Sequence, residues 1–146
     1  IPTDFYKTYF SVVLPEIFEH PDRLMQTAYD LELLLEADSE KEKDMIIQLL
    51  TEFLAIVRQP FMSESFDFGN DAYIGSLYAM GMKVAEIQKE FGSQAARGTQ
   101  HALYINRTFF GLYSLLNELK AVVNTGGVME MIRNASGMPA VVVAES

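Results

Sequence analysis

The residues that could do metal chemistry are few and widely spaced in this chain. It has two histidines, His20 and His101, and no cysteine, which excludes thiolate zinc sites, iron–sulfur sites and a thiol nucleophile. Neither histidine lies in a motif with the residue spacing of metal ligands. We therefore expect His20 to cap a helix and His101 to lie on a helix surface. Glu32 and Glu36 are one helical turn apart, but a di-metal bundle also needs Glu-x-x-His motifs, which are absent. We therefore interpret both as a solvated face and predict no metal ligands and no catalytic residues.

Asp67-Phe68-Gly69 is the one tripeptide that suggests nucleotide chemistry, because protein kinases bind magnesium through these three residue types. In a kinase this Asp works with a glycine-rich loop, a paired Lys and a catalytic loop that carries its own Asp and Asn. None of these partners precedes Asp67 here. We therefore predict a turn in which Phe66 and Phe68 insert into the core and Gly69 lets the chain swing into the next helix.

Composition limits the class of protein. A chain of 146 residues, 49% of them hydrophobic, has the length of a single domain and can bury a complete hydrophobic core. Its net charge of -9 disfavours nucleic acid as a partner, since a protein that follows phosphates needs the opposite sign. Eight methionines and 12% aromatic residues could line a lipid or quinone pocket, although such residues more often form plain core.

Hydrophobic periodicity predicts helices from end to end and no strand. Helix starts are expected at Thr3, after a restart at Pro15, at Pro21, at Ser39 and at Asn70. The apolar row of the Pro21 helix is predicted to comprise Leu24, Ala28, Leu31 and Leu35. The expected fold class is therefore all-α, a bundle of five to six helices in a single domain over residues 1–137. Residues 138–146 are expected to form a loose tail.

The helix from about Thr99 has the strongest pattern. Apolar residues recur at spacings of three and four: Ala102, Ile105, Phe109, Leu112, Leu116, Leu119 and Val123. Its other side is also apolar, at Leu103, Phe110 and Tyr113. A helix that is apolar on two sides is expected in the middle of a bundle.

Arg107 lies on the second apolar side of this helix. A buried Arg stays charged and needs acceptors, and Gly111, one turn further on, leaves room for another segment to approach. We predict that this segment is the Asp67 loop and that Asp67 and Arg107 form a buried structural pair. The alternative is that Arg107 extends to solvent.

Three stretches together resemble the AarF/UbiB family of atypical kinases. The first comprises Ile1-Pro2-Thr3-Asp4-Phe5-Tyr6, followed by a helix and His20-Pro21-Asp22-Arg23-Leu24. The second is Ser65-Phe66-Asp67-Phe68-Gly69, and the third runs from Tyr104-Ile105-Asn106-Arg107-Thr108-Phe109-Phe110-Gly111-Leu112 through Leu119-Lys120-Ala121. Their order and spacing fit the segment that follows the family's true Asp-Phe-Gly, over roughly residues 1–125. Asp67 matches a later loop of the family and not its metal ligand.

This resemblance implies the C-terminal lobe of a kinase-like protein that binds ATP and magnesium and supports isoprenoid-quinone metabolism. The family's Lys-x-Gly-Gln helix, catalytic Asp and true Asp-Phe-Gly all precede the matched segment, so no cofactor-binding residue transfers to this chain. Because the chain does not begin with Met, we expect a piece of a longer protein. Its expected partners are the N-terminal lobe of the same protein and a second copy, through an exposed apolar face at Phe5, Tyr6, Tyr9, Phe10, Val12 and Val13. The expected location is the cytoplasm, or a membrane surface for the full-length protein.

A second hypothesis is a stand-alone helical sensor with an apolar ligand pocket. A long buried apolar cavity would favour the sensor, whereas an open apolar face would favour the kinase-like lobe. A third hypothesis, a di-metal helical enzyme, lacks the inward carboxylates and histidines that it requires.

Overall fold

The computed structural model describes residues 3–91 and 100–137. The predicted tail, residues 138–146, lies outside them. The helices are α1 (Thr3–Ser11), α2 (Pro15–Phe18), α3 (Pro21–Asp30), α4 (Glu40–Val57), α5 (Asp71–Phe91), α6 (Gln100–Glu118) and α7 (Val128–Ser136), with a short 3-10 helix over Gln59–Met62. The all-α class is confirmed, with seven α-helices in the described residues where five to six were predicted.

The helix starts follow the predicted capping chemistry. Pro15 and Pro21 each open a helix, because a missing N–H costs nothing in a first turn. Ser39 forms a capping box with Glu42: the Ser39 hydroxyl accepts from the Glu42 N–H, and the Glu42 carboxylate accepts from the Ser39 N–H, both at 3.2 Å. His20 occupies the N-cap position of α3, as predicted, but its side chain makes no capping hydrogen bond.

The end of α3 differs from the predicted apolar row. Leu24, Ala28 and Leu31 are buried, whereas Leu35 is exposed and Leu34 is buried in its place. The helix ends at Asp30, and Glu32 then adopts a left-handed φ of 60°. This turn breaks the helical register, so the spacing that predicts Leu35 no longer applies.

The prediction of no strand is wrong. The strands β1 (Ser65–Asp67) and β2 (Val122–Asn124) pair antiparallel, with Phe66 opposite Val123. This two-stranded sheet connects the loop before α5 with the segment after α6.

Two apolar clusters form the core. One lies where α1, α3 and α4 meet, with Val12, Val13, Leu24, Leu31 and Leu54 buried. The other lies around α5, α6 and the sheet, with Val57, Phe68, Tyr73, Ile74, Leu77 and Tyr113 buried. Phe53 of α4 packs against both clusters and so joins them.

The described part of α6 is peripheral, which corrects its predicted place in the middle of the bundle. Tyr113 is buried, and Phe109, Phe110 and Leu116 pack against the core beside it. Leu112 and Leu119, predicted for the buried row, are exposed. The aromatic side of the helix packs inward and its leucine side faces outward.

The apolar patch predicted near the start of the chain is not found among its described side chains. Val12 and Val13 are buried, and Tyr9 packs against the first cluster. The side chains of Phe5 and Tyr6 lie outside the described set. In the described part of the chain, no helix is long and apolar enough to cross a membrane.

Candidate functional site

The Asp-Phe-Gly loop, residues 67–69, is fixed between β1 and α5 by hydrogen bonds to Asn117 of α6 and to Ala121, which follows α6. The Phe68 N–H donates to the Ala121 carbonyl at 2.8 Å, and the Asn117 side-chain amide donates to the Phe68 carbonyl at 2.8 Å. Both polar groups of the Phe68 backbone are therefore satisfied by one neighbouring segment, which holds the loop in one position.

Phe68 is the anchor of this loop. Its side chain is 2% exposed and packs against Tyr113 with ring centroids 5.0 Å apart. Phe66 lies 5.0 Å from Phe68 and 4.7 Å from Tyr73, in edge-to-face geometry. The prediction that both phenylalanines insert is confirmed, with Phe66 only partly buried.

Two tyrosines tie this aromatic cluster to the C-terminal end of α4. The Tyr73 hydroxyl donates to the Ile56 carbonyl at 2.9 Å, and the Tyr113 hydroxyl donates to the Val57 carbonyl at 3.3 Å. Burial raises the pKa of both phenols. Both hydroxyls therefore stay protonated and serve as structural donors rather than as proton-transfer groups.

The Asp67 carboxylate is used locally. Its Oδ1 accepts from the Gly69 N–H at 2.8 Å, and the side chain is otherwise exposed. A Cβ on Gly69 would lie 3.0 Å from Asp67 Oδ1 and 3.1 Å from the Cα of Lys120. A side chain at position 69 would therefore press on Asp67 and on the Lys120 backbone, and the loop is tightly packed there.

Asp71, at the start of α5, has partners that sequence reasoning missed. Lys120 Nζ lies 2.9 Å from Asp71 Oδ1, and Asn117 Nδ2 lies 3.3 Å from the same oxygen. The hydrogen bonds from Lys120 and Asn117 lower the pKa of the Asp71 carboxyl. Among the described residues, no group of three or more acidic, histidine or cysteine side chains could hold a metal ion.

The predicted buried pair of Asp67 and Arg107 is not formed. Both side chains are exposed, and within the described residues no ion pair joins them. The loop meets α6 at Asn117, which lies ten residues beyond Arg107. At 1.5 Å per residue this separation is about 15 Å, too far for the guanidinium to reach. The alternative, that Arg107 extends to solvent, describes the structure.

No described segment of the chain packs against Gly111, which is a further correction. A Cβ built on Gly111 would meet nothing within 4 Å, so the backbone there faces open space. The close approach predicted for Gly111 occurs at Gly69 instead.

Two buried arginines, Arg58 and Arg133, lie beside α2, and sequence reasoning missed them. Arg133 of α7 donates to Glu16 of α2 at 2.6 Å, across 117 positions of sequence. Arg58, 4% exposed, places its guanidinium 4.2 Å from the centroid of the Phe18 ring. Burial lowers the pKa of Arg58, and the nearby Glu19 opposes this shift. Because these partners are remote along the chain, no local pattern could have indicated them.

An apolar cavity of about 30 Å³ lies between α1, α4 and α6. Its walls include Tyr9, Phe10, Phe53, Phe61 and Phe109. Ligand pockets for small molecules have volumes of about 300–1,000 Å³, so this cavity is a packing defect. It offers no support for the sensor hypothesis.

Comparison with protein-family models, with curated proteins and with solved structures finds no match to this chain.

Proposed function

We propose that the chain is the C-terminal helical lobe of an AarF/UbiB-like atypical kinase or ATPase, linked by resemblance to isoprenoid-quinone biosynthesis or its regulation. In this proposal the chain has no catalytic residue of its own. It supports the N-terminal catalytic lobe and offers surfaces for interaction. ATP and magnesium are cofactors of the parent protein, bound outside this chain.

The observation that supports this proposal is the packing between two of the resembling stretches. Residues 65–69 and 104–121 are about 40 positions apart in sequence, yet they pack against each other. We call this contact the joint. The joint comprises the Phe68–Ala121 hydrogen bond, the Asn117–Phe68 hydrogen bond and the Phe68–Tyr113 ring contact. Segments that pack against each other in a fold are expected to occur together in the sequences that adopt it.

The chemistry of the loop supports a structural role for the tripeptide. A magnesium-binding Asp needs free carboxylate oxygens and further oxygen ligands beside it. Here one oxygen of Asp67 accepts a hydrogen bond from Gly69, and Asp71 is bound by Lys120. Lys120 places a positive charge beside this loop, where a cation would have to bind.

The test is the coding sequence upstream of Ile1, followed by assay of the whole protein that it encodes. We expect an open reading frame with a Lys-x-Gly-Gln motif and a second Asp-Phe-Gly just before Ile1. In that protein, Asp→Asn in the upstream motif should abolish ATP hydrolysis, whereas Asp67→Asn should leave kcat unchanged. An in-frame stop codon, or an upstream sequence without these motifs, would contradict the proposal.

A further inference from the structure

Arg58 is a buried cation that lacks an acceptor in the described part of the chain. The residue is 4% exposed, and its Nε is buried without a hydrogen-bond partner. Within residues 3–91 and 100–137, Arg58 forms no ion pair. Its guanidinium carbon lies 4.2 Å from the centroid of the Phe18 ring, which attracts the positive charge but provides no strong acceptor for the N–H groups.

A buried charge without a partner weakens a fold. An arginine stays charged when it is buried, and an apolar residue of similar volume often stabilises a protein at such a position. Arg58 lies at the junction between the end of α4 and the 3-10 helix, and neither helix uses its side chain as a cap. A residue that opposes stability in this way is expected where a protein binds a ligand.

Arginines are concentrated around α2, although the chain as a whole has a net charge of -9. Three of the five arginines of the chain contact this four-residue helix. Arg23 donates to the Glu16 carbonyl at 3.3 Å, and Arg133 donates to the Glu16 carboxylate at 2.6 Å. Arg58 contacts Phe18 two residues further along. Arg23 and Arg133 therefore have acceptors on α2, whereas the donors of Arg58 remain for a ligand.

We propose that Arg58 binds a phosphate group at the junction between α2 and the 3-10 helix over Gln59–Met62. A guanidinium presents parallel N–H donors that match two oxygens of a phosphate. Arg23 is exposed and contacts the same helix, so it adds a second positive charge beside the site. Two positive charges favour a doubly charged phosphate over a singly charged carboxylate. This inference does not rest on the proposed function, since it uses only contacts of this chain around α2.

Glu19 is the acidic side chain that a ligand meets at this site. Glu19 is exposed, and it lies close enough to Arg58 to oppose the lowering of the Arg58 pKa that burial causes. The guanidinium is therefore near the surface, within reach of an ion from solution. Because Glu19 repels an anion, Glu19→Gln should tighten phosphate binding by at least about twofold.

The test is titration of the full chain with inorganic phosphate, followed through the Nε–Hε resonance of Arg58 in ¹H–¹⁵N spectra. Sodium chloride keeps the ionic strength constant, so general screening does not change during the titration. We expect a saturable shift with a dissociation constant on the order of 1 mM. Backbone amide resonances around α2 report the same binding in variants that lack the arginine.

Arg58→Met should weaken phosphate binding by at least about tenfold, because it removes the charge and the donors. Arg58→Lys should also weaken it, since lysine keeps the charge but lacks the planar set of donors. The matched control is Arg107→Met, which removes the same charge from an exposed position on α6 and should bind phosphate as the parent does. Circular dichroism of each variant monitors the fold.

Two further probes identify the source of the phosphate group. Glycerol 3-phosphate represents a soluble ester, and vesicles of phosphatidylcholine with phosphatidic acid represent a lipid head group. We expect binding of the ester that depends on Arg58 and no co-sedimentation with the vesicles, because an anionic surface repels a chain with this net charge. Co-sedimentation that Arg58→Met abolishes would assign the same site to a lipid phosphate.

Three results would overturn the proposal. The first is a parent chain whose Arg58 resonance does not respond to phosphate, and the second is an equal response to phosphate in the parent and in Arg58→Met. The third is a coupling between Arg58 and Glu19: if urea unfolding without phosphate shows that Arg58→Met and Glu19→Gln each destabilise the chain and are not additive, Glu19 itself is the partner of Arg58.

Discussion

The ion pair between Glu16 and Arg133 gives the sharpest prediction about stability, because it joins α2 to α7 across most of the sequence. The two side chains are 20% and 9% exposed, and Arg133 Nη1 lies 2.6 Å from Glu16 Oε2. Two unit charges about 4 Å apart attract by about 4 kcal/mol at an effective dielectric constant of 20, compared with about 1 kcal/mol in bulk water. Burial, rather than distance, therefore sets the strength of this pair.

We expect Arg133→Met to lower the free energy of unfolding by about 2–4 kcal/mol, towards the lower end of the range for a buried pair, because it leaves the partly buried Glu16 carboxylate without its partner. Glu16→Gln should cost less than Arg133→Met, since the amide oxygen can still accept a hydrogen bond. Removing both partners should cost clearly less than the sum of the single variants.

The chain supplies a matched control in Lys83 and Glu52. Their charged atoms are 2.7 Å apart, nearly the same distance, but the side chains are 48% and 37% exposed. The coupling energy of this pair should be below about 1 kcal/mol. Double-mutant cycles by urea unfolding measure both values. Equal coupling energies for the two pairs, or additive effects at Glu16 and Arg133, would refute the reasoning from burial.

Two further predictions concern the loop and its neighbours. Gly69→Ala should destabilise the chain by about 1–3 kcal/mol, because its Cβ would press on Asp67 and on the Lys120 backbone. Gly75→Ala should stabilise α5 by about 0.5–1 kcal/mol, because a Cβ at this helical position meets nothing within 4 Å. Urea unfolding measures both changes. Hydrogen bonds from Lys120 and Asn117 lower the pKa of Asp71 in the folded chain. The Asp71 carboxylate therefore adds to the free energy of unfolding above its unfolded-state pKa, and this stabilisation is lost as pH falls through its folded-state pKa. The difference in urea midpoint between the parent and Asp71→Asn should therefore disappear in acid. A difference that persists unchanged at about pH 2 would count against the Lys120 contact.

Local chemistry made much of the helical fold predictable. Ser39 with Glu42, and Pro15 and Pro21, mark helix starts through interactions within four residues, so the sequence contains the whole signal. The buried positions Tyr73, Leu77 and Met80 of α5 also follow directly from their spacing.

Features that depend on remote partners were not predictable. Strand β1 has three residues, too few to show a period, and it exists because Val123 lies opposite Phe66. On α6, both Leu112 and Phe109 fit a helical period, and only the position of Tyr113 against Phe68 decides which side packs inward. The Arg107–Asp67 prediction failed because chemical complementarity says nothing about the distance between two groups.

The central claim is that the Asp-Phe-Gly loop is a structural joint and not a nucleotide or metal site. Isothermal titration calorimetry of the full chain with magnesium-ATP tests this claim directly, with Asp67→Ala as the variant and Asp44→Ala as an exposed control. We expect no saturable binding for the parent or for either variant. Micromolar binding by the parent and by Asp44→Ala that Asp67→Ala abolishes would contradict it.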